Sequence, residues 1–132
     1  MLNSFELTHV NIIGSDEYER AVLGLVLGAR AYRVRSFSSL DEFTLPRREA
    51  GDTCALLALS WRDLDYGMTL QRIRQISLYM PVLLLSDQVY YHRLAAALES
   101  DHVSVLIRPV QKDALLRSIQ RTIHAWLESE IA

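Results

Sequence analysis

Two kinds of segment alternate along this chain, and their alternation limits the folds that it can adopt. Short apolar runs have the length of β-strands, and the longer stretches between them carry apolar residues at helical spacing. The strand-length runs are VNII, YRVRSF, CALLALS, PVLLLS and VSVLIRP. The helical stretches are Asp16 to Ala29, Ser39 to Arg48, Gly67 to Ser77, Tyr90 to Glu99 and Lys112 to Glu128. Five strands alternating with five helices predict right-handed βαβ units in a doubly wound α/β fold.

The length and the character of the central runs favour one domain with a parallel sheet. The segments ALLAL and VLLL are apolar throughout, as is typical of parallel strands that are covered on both faces. A chain of 132 residues fits a single domain, residues 1–132, that buries roughly 70% of its unfolded surface.

Composition excludes several classes of function. The formal net charge of −2 gives no general reason to expect binding to nucleic acid or to a membrane. No apolar stretch is long enough to span a bilayer, and MLNSFELTH lacks the regions of a signal peptide. Cys54 is the only cysteine, so no internal disulfide can form. We therefore expect a cytoplasmic protein in a reducing compartment.

Ligands of a doubly wound sheet bind beyond the carboxyl ends of its strands, where the strand order reverses. This rule selects four short segments that follow predicted strands. They are Gly14-Ser15-Asp16, Ala58-Leu59-Ser60, Ser86-Asp87 and Arg108-Pro109.

These segments and their surroundings resemble the receiver domain of two-component response regulators, in the FixJ-type form found in LuxR-class transcription regulators. The segment RVRSFSSLDEF is similar to the family's second strand and second helix. The segment MPVLLLSDQVYYHRLAAALESDHVSVLIRPVQKDAL is similar to the family's fourth strand through fifth helix. The resemblance covers nearly all of residues 8–128. It implies a flavodoxin-like (CheY-like) five-stranded parallel sheet of order 2-1-3-4-5 with five helices.

The chain departs from the family pattern at every position that carries phosphoryl chemistry. The family's acidic pair falls on Gly14 and Ser15, and its phosphoacceptor aspartate falls on Leu59 when counted from Gly67. Counted from Cys54 it falls on Ala58, which is no carboxylate either. The family's lysine is Arg108, and its aromatic switch residue is Val105.

These replacements remove both the nucleophile and the magnesium ligands. Phosphoryl transfer needs an in-line nucleophile and cations, and magnesium is usually held by one or two carboxylates. Asp16 and Asp87 are interpreted as helix-capping or loop acids, and both are expected partners for Arg108. Ser86 keeps the family's hydroxyl, but Val105 is branched at Cβ and has few rotamers. We therefore expect no catalysis, no metal and no cofactor at this degenerate phosphorylation pocket.

Other catalytic patterns are missing from the sequence. The four histidines have no partner at metal-ligand spacing, and there is no G-x-S-x-G elbow. Neither G-x-G-x-x-G nor a P-loop is present. A phosphoacceptor role for Ser60 with a serine kinase is a rival hypothesis.

The resemblance and the missing chemistry together predict a phosphorylation-independent pseudo-receiver that signals through protein contacts. It is either the regulatory part of a bacterial transcription regulator or a stand-alone adaptor. In the first case DNA is contacted only by an output domain outside this sequence. The alternative, from another class, is a small-molecule or anion sensor in which Arg108 binds the ligand.

Spare apolar residues on two helices predict a homodimer that forms without a phosphodonor. The first and fifth helices carry more apolar positions than one buried stripe requires. The predicted interface residues are Val22, Leu25, Leu116, Trp126 and Leu127. Trp126 is the expected anchor, because tryptophan is enriched among residues that dominate interface energy. Two alternatives stay open: Trp126 covers the end of the core, or a face with Tyr90 and Tyr91 forms the interface.

Overall fold

A computed structural model describes residues 9–43, 53–63 and 65–131. Within these ranges the chain forms five strands, four α-helices and one short 3-10 helix. In chain order the elements are β1 (His9–Ile13), α1 (Glu17–Gly28), β2 (Arg33–Phe37), β3 (Thr53–Leu57), the 3-10 helix (Trp61–Asp63), α2 (Tyr66–Ser77), β4 (Val82–Ser86), α3 (Gln88–Leu98), β5 (Val103–Ile107) and α4 (Lys112–Ile131).

The five strands form one parallel sheet in the order β2-β1-β3-β4-β5. The predicted doubly wound sheet and its strand order 2-1-3-4-5 are therefore confirmed. In the register, His9 lies opposite both Arg33 and Thr53, and Ser86 lies opposite Ile107. All the carboxyl ends consequently meet at one edge of the sheet, where the candidate site was expected.

Two hydrophobic clusters cover the two faces of the sheet. On one face Ile12 and Leu56 pack with residues of α1 and α4, such as Leu23 and Ile119. The other face carries a second cluster, built with residues of α2 and α3. Every residue of β4 is buried. Its unbroken apolar run therefore reflects coverage from both sides.

The predicted second helix, Ser39 to Arg48, is not found among the described residues. Residues 39–43 form turns, and the rest of that stretch lies outside the described residues. The Ser39 hydroxyl accepts the Glu42 N–H at 3.3 Å, a contact of the kind that caps the start of a helix. The Glu42 carboxylate accepts the N–H and the hydroxyl of Ser38, each at 2.5 Å, and these bonds lower the pKa of Glu42. Such local side-chain bonds stabilise a turn in place of a helix.

Burial in α4 corrects part of the predicted dimer patch. Leu116 is 8% exposed and Trp126 is 4% exposed, so both belong to the interior. Leu127 is half-buried, whereas Val22 and Leu25 on α1 are exposed. The exposure predicted for Leu116 and Trp126 is wrong, because both side chains lie on the inner face of α4. The dimer itself stays a prediction.

The single cysteine is a core residue. Cys54 lies fully buried in β3, and burial raises the pKa of its thiol to about 12. The thiol therefore stays neutral at physiological pH, and a buried neutral thiol is inert as a nucleophile.

The end of α1 is closed by an alanine in the left-handed region. The Tyr32 N–H donates to Leu27 O at 3.2 Å, and the Ala31 N–H donates to Gly28 O at 3.1 Å. This pair of bonds is a Schellman motif in which Ala31 holds the position usually taken by glycine. Its φ is 67°, a conformation that a Cβ atom disfavours.

We expect Ala31→Gly to raise the free energy of unfolding by about 0.5–1 kcal/mol. Relief of left-handed strain is worth about 1–2 kcal/mol, and the greater freedom of glycine in the unfolded chain removes about 0.5–1 kcal/mol. The control is Ala29→Gly, because Ala29 has right-handed helical angles and should lose stability instead. Denaturant unfolding measures both variants, and shifts of the same sign would contradict the assignment.

Candidate functional site

The strand ends bring the predicted pocket residues to one edge of the sheet. Backbone bonds hold them there: the Gly14 N–H donates to Phe37 O at 3.0 Å, and the Ala58 N–H donates to Ile13 O at 2.7 Å. The Arg108 N–H donates to Ser86 O at 2.8 Å. The candidate site therefore rests on the most regular part of the fold.

A bidentate ion pair occupies the centre of this site. Arg108 Nε donates to Glu19 Oε2 at 2.7 Å, and Arg108 Nη2 donates to Glu19 Oε1 at 3.1 Å. The two side chains are only 20% and 25% exposed. Two parallel charge-assisted hydrogen bonds fix both position and orientation, which a single contact does not.

Arg108 also contacts two backbone carbonyls and a second carboxylate. Nη2 donates to Leu59 O at 3.2 Å and Nη1 donates to Leu85 O at 3.3 Å. Nη1 lies 3.5 Å from Asp87 Oδ1, within ion-pair distance. Four of the five N–H donors of this guanidinium are therefore hydrogen-bonded within the protein. The side chain joins α1, the ends of β3 and β4, and the start of α3.

These contacts test the predicted partners of Arg108. The expected acidic acceptor exists and the pairing with Asp87 is confirmed, but the pairing with Asp16 is wrong. Asp16 instead caps α1, where its Oδ1 accepts the Glu19 N–H at 3.1 Å. Glu19 was missed. The sequence did contain a signal for Glu19, because Asp16 and Glu19 have the spacing of a capping box. In the structure, however, the Glu19 carboxylate binds Arg108 and does not turn back to the start of the helix.

Backbone atoms fill the space beside Gly14, which corresponds to the first residue of the receiver family's acidic pair. Gly14 is buried, and a Cβ atom built on it would lie 2.4 Å from Ala58 O. Arg20 adds a clamp, because it donates to Gly14 O and to Ser36 Oγ, the latter at 2.9 Å. An aspartate at Gly14 would thus require the ends of β1 and β3 to separate.

The other predicted pocket residues divide into buried and rim positions. The Leu59 side chain is buried in the core, and only its carbonyl reaches Arg108. Ser86 is buried, and its hydroxyl donates to Asp87 O at 2.9 Å. Ser15 and Ser60 are exposed at the rim. No carboxylate follows β3 at either Ala58 or Leu59, as the sequence predicted.

The switch position is packed into the core. Val105 is buried in the cluster shared with α2 and α3, and Tyr90 and Tyr91 of α3 pack on the same cluster. A β-branched side chain held in this way has few rotamers to choose from. Val105 therefore offers no inward and outward positions comparable to those of an aromatic ring.

Residues 9–43, 53–63 and 65–131 contain no group of three or more His, Cys, Asp or Glu side chains placed to hold a metal ion. In the same part of the chain, no helix combines the length and the apolar character needed to cross a membrane.

We expect Gly14→Ala to lower the free energy of unfolding by about 1–3 kcal/mol, because the new methyl group overlaps a backbone carbonyl. Gly28→Ala is the matched control, since a Cβ there meets no atom within 4 Å. That variant should gain up to about 1 kcal/mol from helix propensity. Equal effects of the two substitutions would contradict the close approach at Gly14.

We expect the Arg108–Glu19 pair to show strong coupling in a double-mutant cycle. Arg108→Met and Glu19→Gln should each lower the free energy of unfolding by about 1–3 kcal/mol, because each leaves a mostly buried charge unpaired. The coupling energy should be about 1–3 kcal/mol. Asp65→Ala is the control: Asp65 caps α2 through the Met68 N–H, so its loss should cost about 1 kcal/mol and add independently to Arg108→Met. Additivity of Arg108→Met with Glu19→Gln would contradict the pair.

Comparison with known proteins identifies the fold. No protein-family model and no curated protein matches the chain. An adenylate cyclase structure from Rhodopirellula baltica is 16% identical with a TM-score of 0.73, covering 98% of this chain and 95% of that one. FixJ-N is 15% identical with a TM-score of 0.69, covering 94% and 96%. The signal receiver domain of a LuxO repressor protein from Vibrio parahaemolyticus is 15% identical with a TM-score of 0.64, covering 94% and 96%. The chain has the CheY-like fold of response-regulator receiver domains.

Proposed function

We propose that this domain is a pseudo-receiver, a signalling module that works without phosphorylation, through contacts with other proteins, and catalyses no reaction. The single observation that carries the proposal is the Arg108 guanidinium, held by four hydrogen bonds and an ion pair within the protein, at the place where a receiver would hold phosphate and magnesium.

The positive charge of Arg108 is already paired within the protein. Arg108 supplies one positive charge, and the carboxylates of Glu19 and Asp87 lie against it. Magnesium binds oxygen ligands in octahedral geometry and dehydrates reluctantly. Both oxygens of Glu19 are already bound to the guanidinium, and Gly14 and Leu59 offer no carboxylate. A magnesium ion would have to displace Arg108 from its partners.

A nucleophile for phosphoryl transfer is missing as well. The position after β3 is occupied by buried Leu59, whose side chain belongs to the core. Ser60 is exposed, but phosphoryl transfer also needs cations around the equatorial oxygens. The Arg108 guanidinium, which could stabilise such a charge, is engaged by Glu19 and Asp87. This arrangement supports a domain that keeps one conformation and does not switch on phosphorylation.

A domain with a single conformation can act in signalling only by binding other proteins. Two settings fit this role. The domain serves as the regulatory part of a transcription regulator, or it serves as an adaptor on its own. In both settings the function is carried by a protein-binding surface, and the contacts at the carboxyl edge of the sheet stabilise the conformation of that surface.

The rival function, an anion sensor, requires Arg108 to exchange a protein acceptor for a ligand. Four of its five N–H groups already donate to acceptors of the protein, and the bidentate partner is a carboxylate of the same chain. An external anion therefore competes with an internal one at high effective concentration. This competition favours the scaffold over the sensor.

We expect acetyl phosphate or beryllofluoride with magnesium to leave the amide NMR spectrum of the domain unchanged. The physical reason is that Glu19 and Asp87 are paired with Arg108, and that Gly14 and Leu59 offer neither a magnesium ligand nor a carboxylate nucleophile. Spectra with magnesium alone and with the donor alone serve as references. Magnesium-dependent shifts at Gly14, Ser15 and Leu59 would contradict the proposal.

A thermal-shift series with phosphate, sulfate and nucleotides separates the scaffold from the sensor. The wild type should be unaffected, whereas Glu19→Gln frees Arg108 and should gain stabilisation by phosphate. Stabilisation of the wild type by one of these anions at low concentration would favour the sensor instead.

A further inference from the structure

The edge strand β2 leaves most of its residues exposed. Arg33, Arg35 and Ser36 are exposed, and Val34 and Phe37 are half-buried. The other edge strand, β5, exposes only its last residue. Side chains alternate along a strand, so Arg33 and Arg35 share the face on which Phe37 packs against the cluster of α2 and α3. Two arginines therefore lie side by side at one margin of the sheet.

The peptide groups of β2 alternate between the sheet and its outer side. The Phe37 carbonyl accepts the Gly14 N–H at 3.0 Å, so Phe37 turns its peptide groups towards β1. Because these directions alternate, both arginines do the same, whereas Val34 and Ser36 turn theirs outward. No described strand pairs with this outer side of β2. The N–H and C=O groups of Val34 and Ser36 are thus placed to bond a further strand.

An acidic side chain of the protein already binds the next outward N–H group. Ser38 follows Val34 and Ser36 in the alternating series, and its N–H donates to the Glu42 carboxylate at 2.5 Å. The Ser38 hydroxyl donates to the same oxygen, also at 2.5 Å. This contact ends the open part of the edge on its carboxyl side, and it shows that a carboxylate fits an outward N–H group here.

The charge of this edge is positive. Arg30 is exposed in the turn before β2, and Arg20 of α1 donates to Ser36 Oγ at 2.9 Å. Among the described residues, no carboxylate lies within ion-pair distance of Arg20, Arg30, Arg33 or Arg35. Two such edges would bring like charges together if they paired, so the arginines disfavour a second copy. The same charges favour an acidic partner.

We propose that β2 binds an extended acidic segment of another protein by strand addition. The main chain of the segment bonds to the N–H and C=O groups of Val34 and Ser36. Its acidic side chains, at every second position, lie on the face of Arg33 and Arg35. The inference rests on the proposed function and deepens it, because it names the kind of partner that a pseudo-receiver contacts.

The shortness of this edge sets the expected strength. Main-chain bonds to two residues and a few charge pairs bury much less than the standard of about 800 Å² per partner. We expect a dissociation constant in the micromolar to sub-millimolar range. Binding should weaken as salt is added, because exposed charge pairs are screened.

The probe is a blocked octapeptide of alternating glutamate and valine, titrated into the protein and followed by amide NMR. The signals of Val34 and Ser36 should shift strongly, because their N–H groups gain acceptors. A matched peptide with glutamine in place of glutamate should bind about tenfold or more weakly. Equal binding of the two peptides would overturn the proposal, since charge would then play no part.

A charge exchange on the protein tests the arginines. Arg33→Glu with Arg35→Glu should weaken binding of the glutamate peptide by about tenfold or more, and should favour the corresponding lysine–valine peptide instead. The matched control is Arg117→Glu with Arg121→Glu, because these arginines are exposed on α4 and undergo the same change of charge. Circular dichroism melting checks that both variants are folded. A control that weakens binding as much as the exchange on β2 would contradict the site.

Methylation of the peptide backbone separates strand addition from simple attraction of charges. In an added strand only every second N–H faces β2. Methylating the nitrogens of all glutamates, or of all valines, should therefore abolish binding for one set and preserve it for the other. The set that loses binding reports the direction of the added strand. Binding that survives both changes, or is lost with both, would overturn strand addition.

Two further outcomes separate the partner class and the proposed function. Single-stranded oligothymidylate is the comparison polyanion, and tighter binding of it than of the glutamate peptide at β2 would overturn the choice of a protein partner. Peptide binding that appears only with magnesium and beryllofluoride would contradict the proposed function and support the peptide site.

Discussion

The bidentate bond between Arg108 and Glu19 is the interaction on which the carboxyl edge of the sheet depends. It ties the first turn of α1 to the residue after β5, and the same guanidinium reaches the carbonyls of Leu59 and Leu85. Charges that are taken out of water stabilise a protein only when the geometry is good and further hydrogen bonds support the pair. Here the bidentate pair is supported by two backbone carbonyls, so four elements are held in one arrangement by one side chain.

The loss of acidic residues has not left a vacant pocket. At Gly14 the backbone of β1 approaches Ala58 so closely that no Cβ fits between them. Glu19 supplies from α1 the negative charge that an arriving phosphate would bring to Arg108. The site is filled by the protein's own groups, and restoring one aspartate would not reopen it.

Sequence reasoning predicted the sheet because unbroken apolar runs and helical spacing depend on local periodicity, which the fold preserves. It predicted an acceptor for Arg108 because a guanidinium keeps its charge wherever it is buried. It missed Glu19 because the reach of a side chain depends on how a helix is rotated on the sheet. The rotation of α4 on the sheet likewise buried Trp126, which agrees with the alternative that Trp126 covers the end of the core. The turn at Ser39 was not predicted, because hydrogen bonds between side chains and nearby backbone groups compete with helix formation.

The most direct test of the central claim is the rotation of the Arg108 guanidinium, followed by nitrogen-15 NMR of arginine side chains. A bidentate pair should slow rotation about the Cζ–Nε bond, so that Arg108 gives resolved N–H signals, unlike exposed Arg117 and Arg121. Glu19→Gln should bring the Arg108 signals to the averaged state. Averaged Arg108 signals in the wild type would show that the guanidinium is free, and the account of a filled pocket would be wrong.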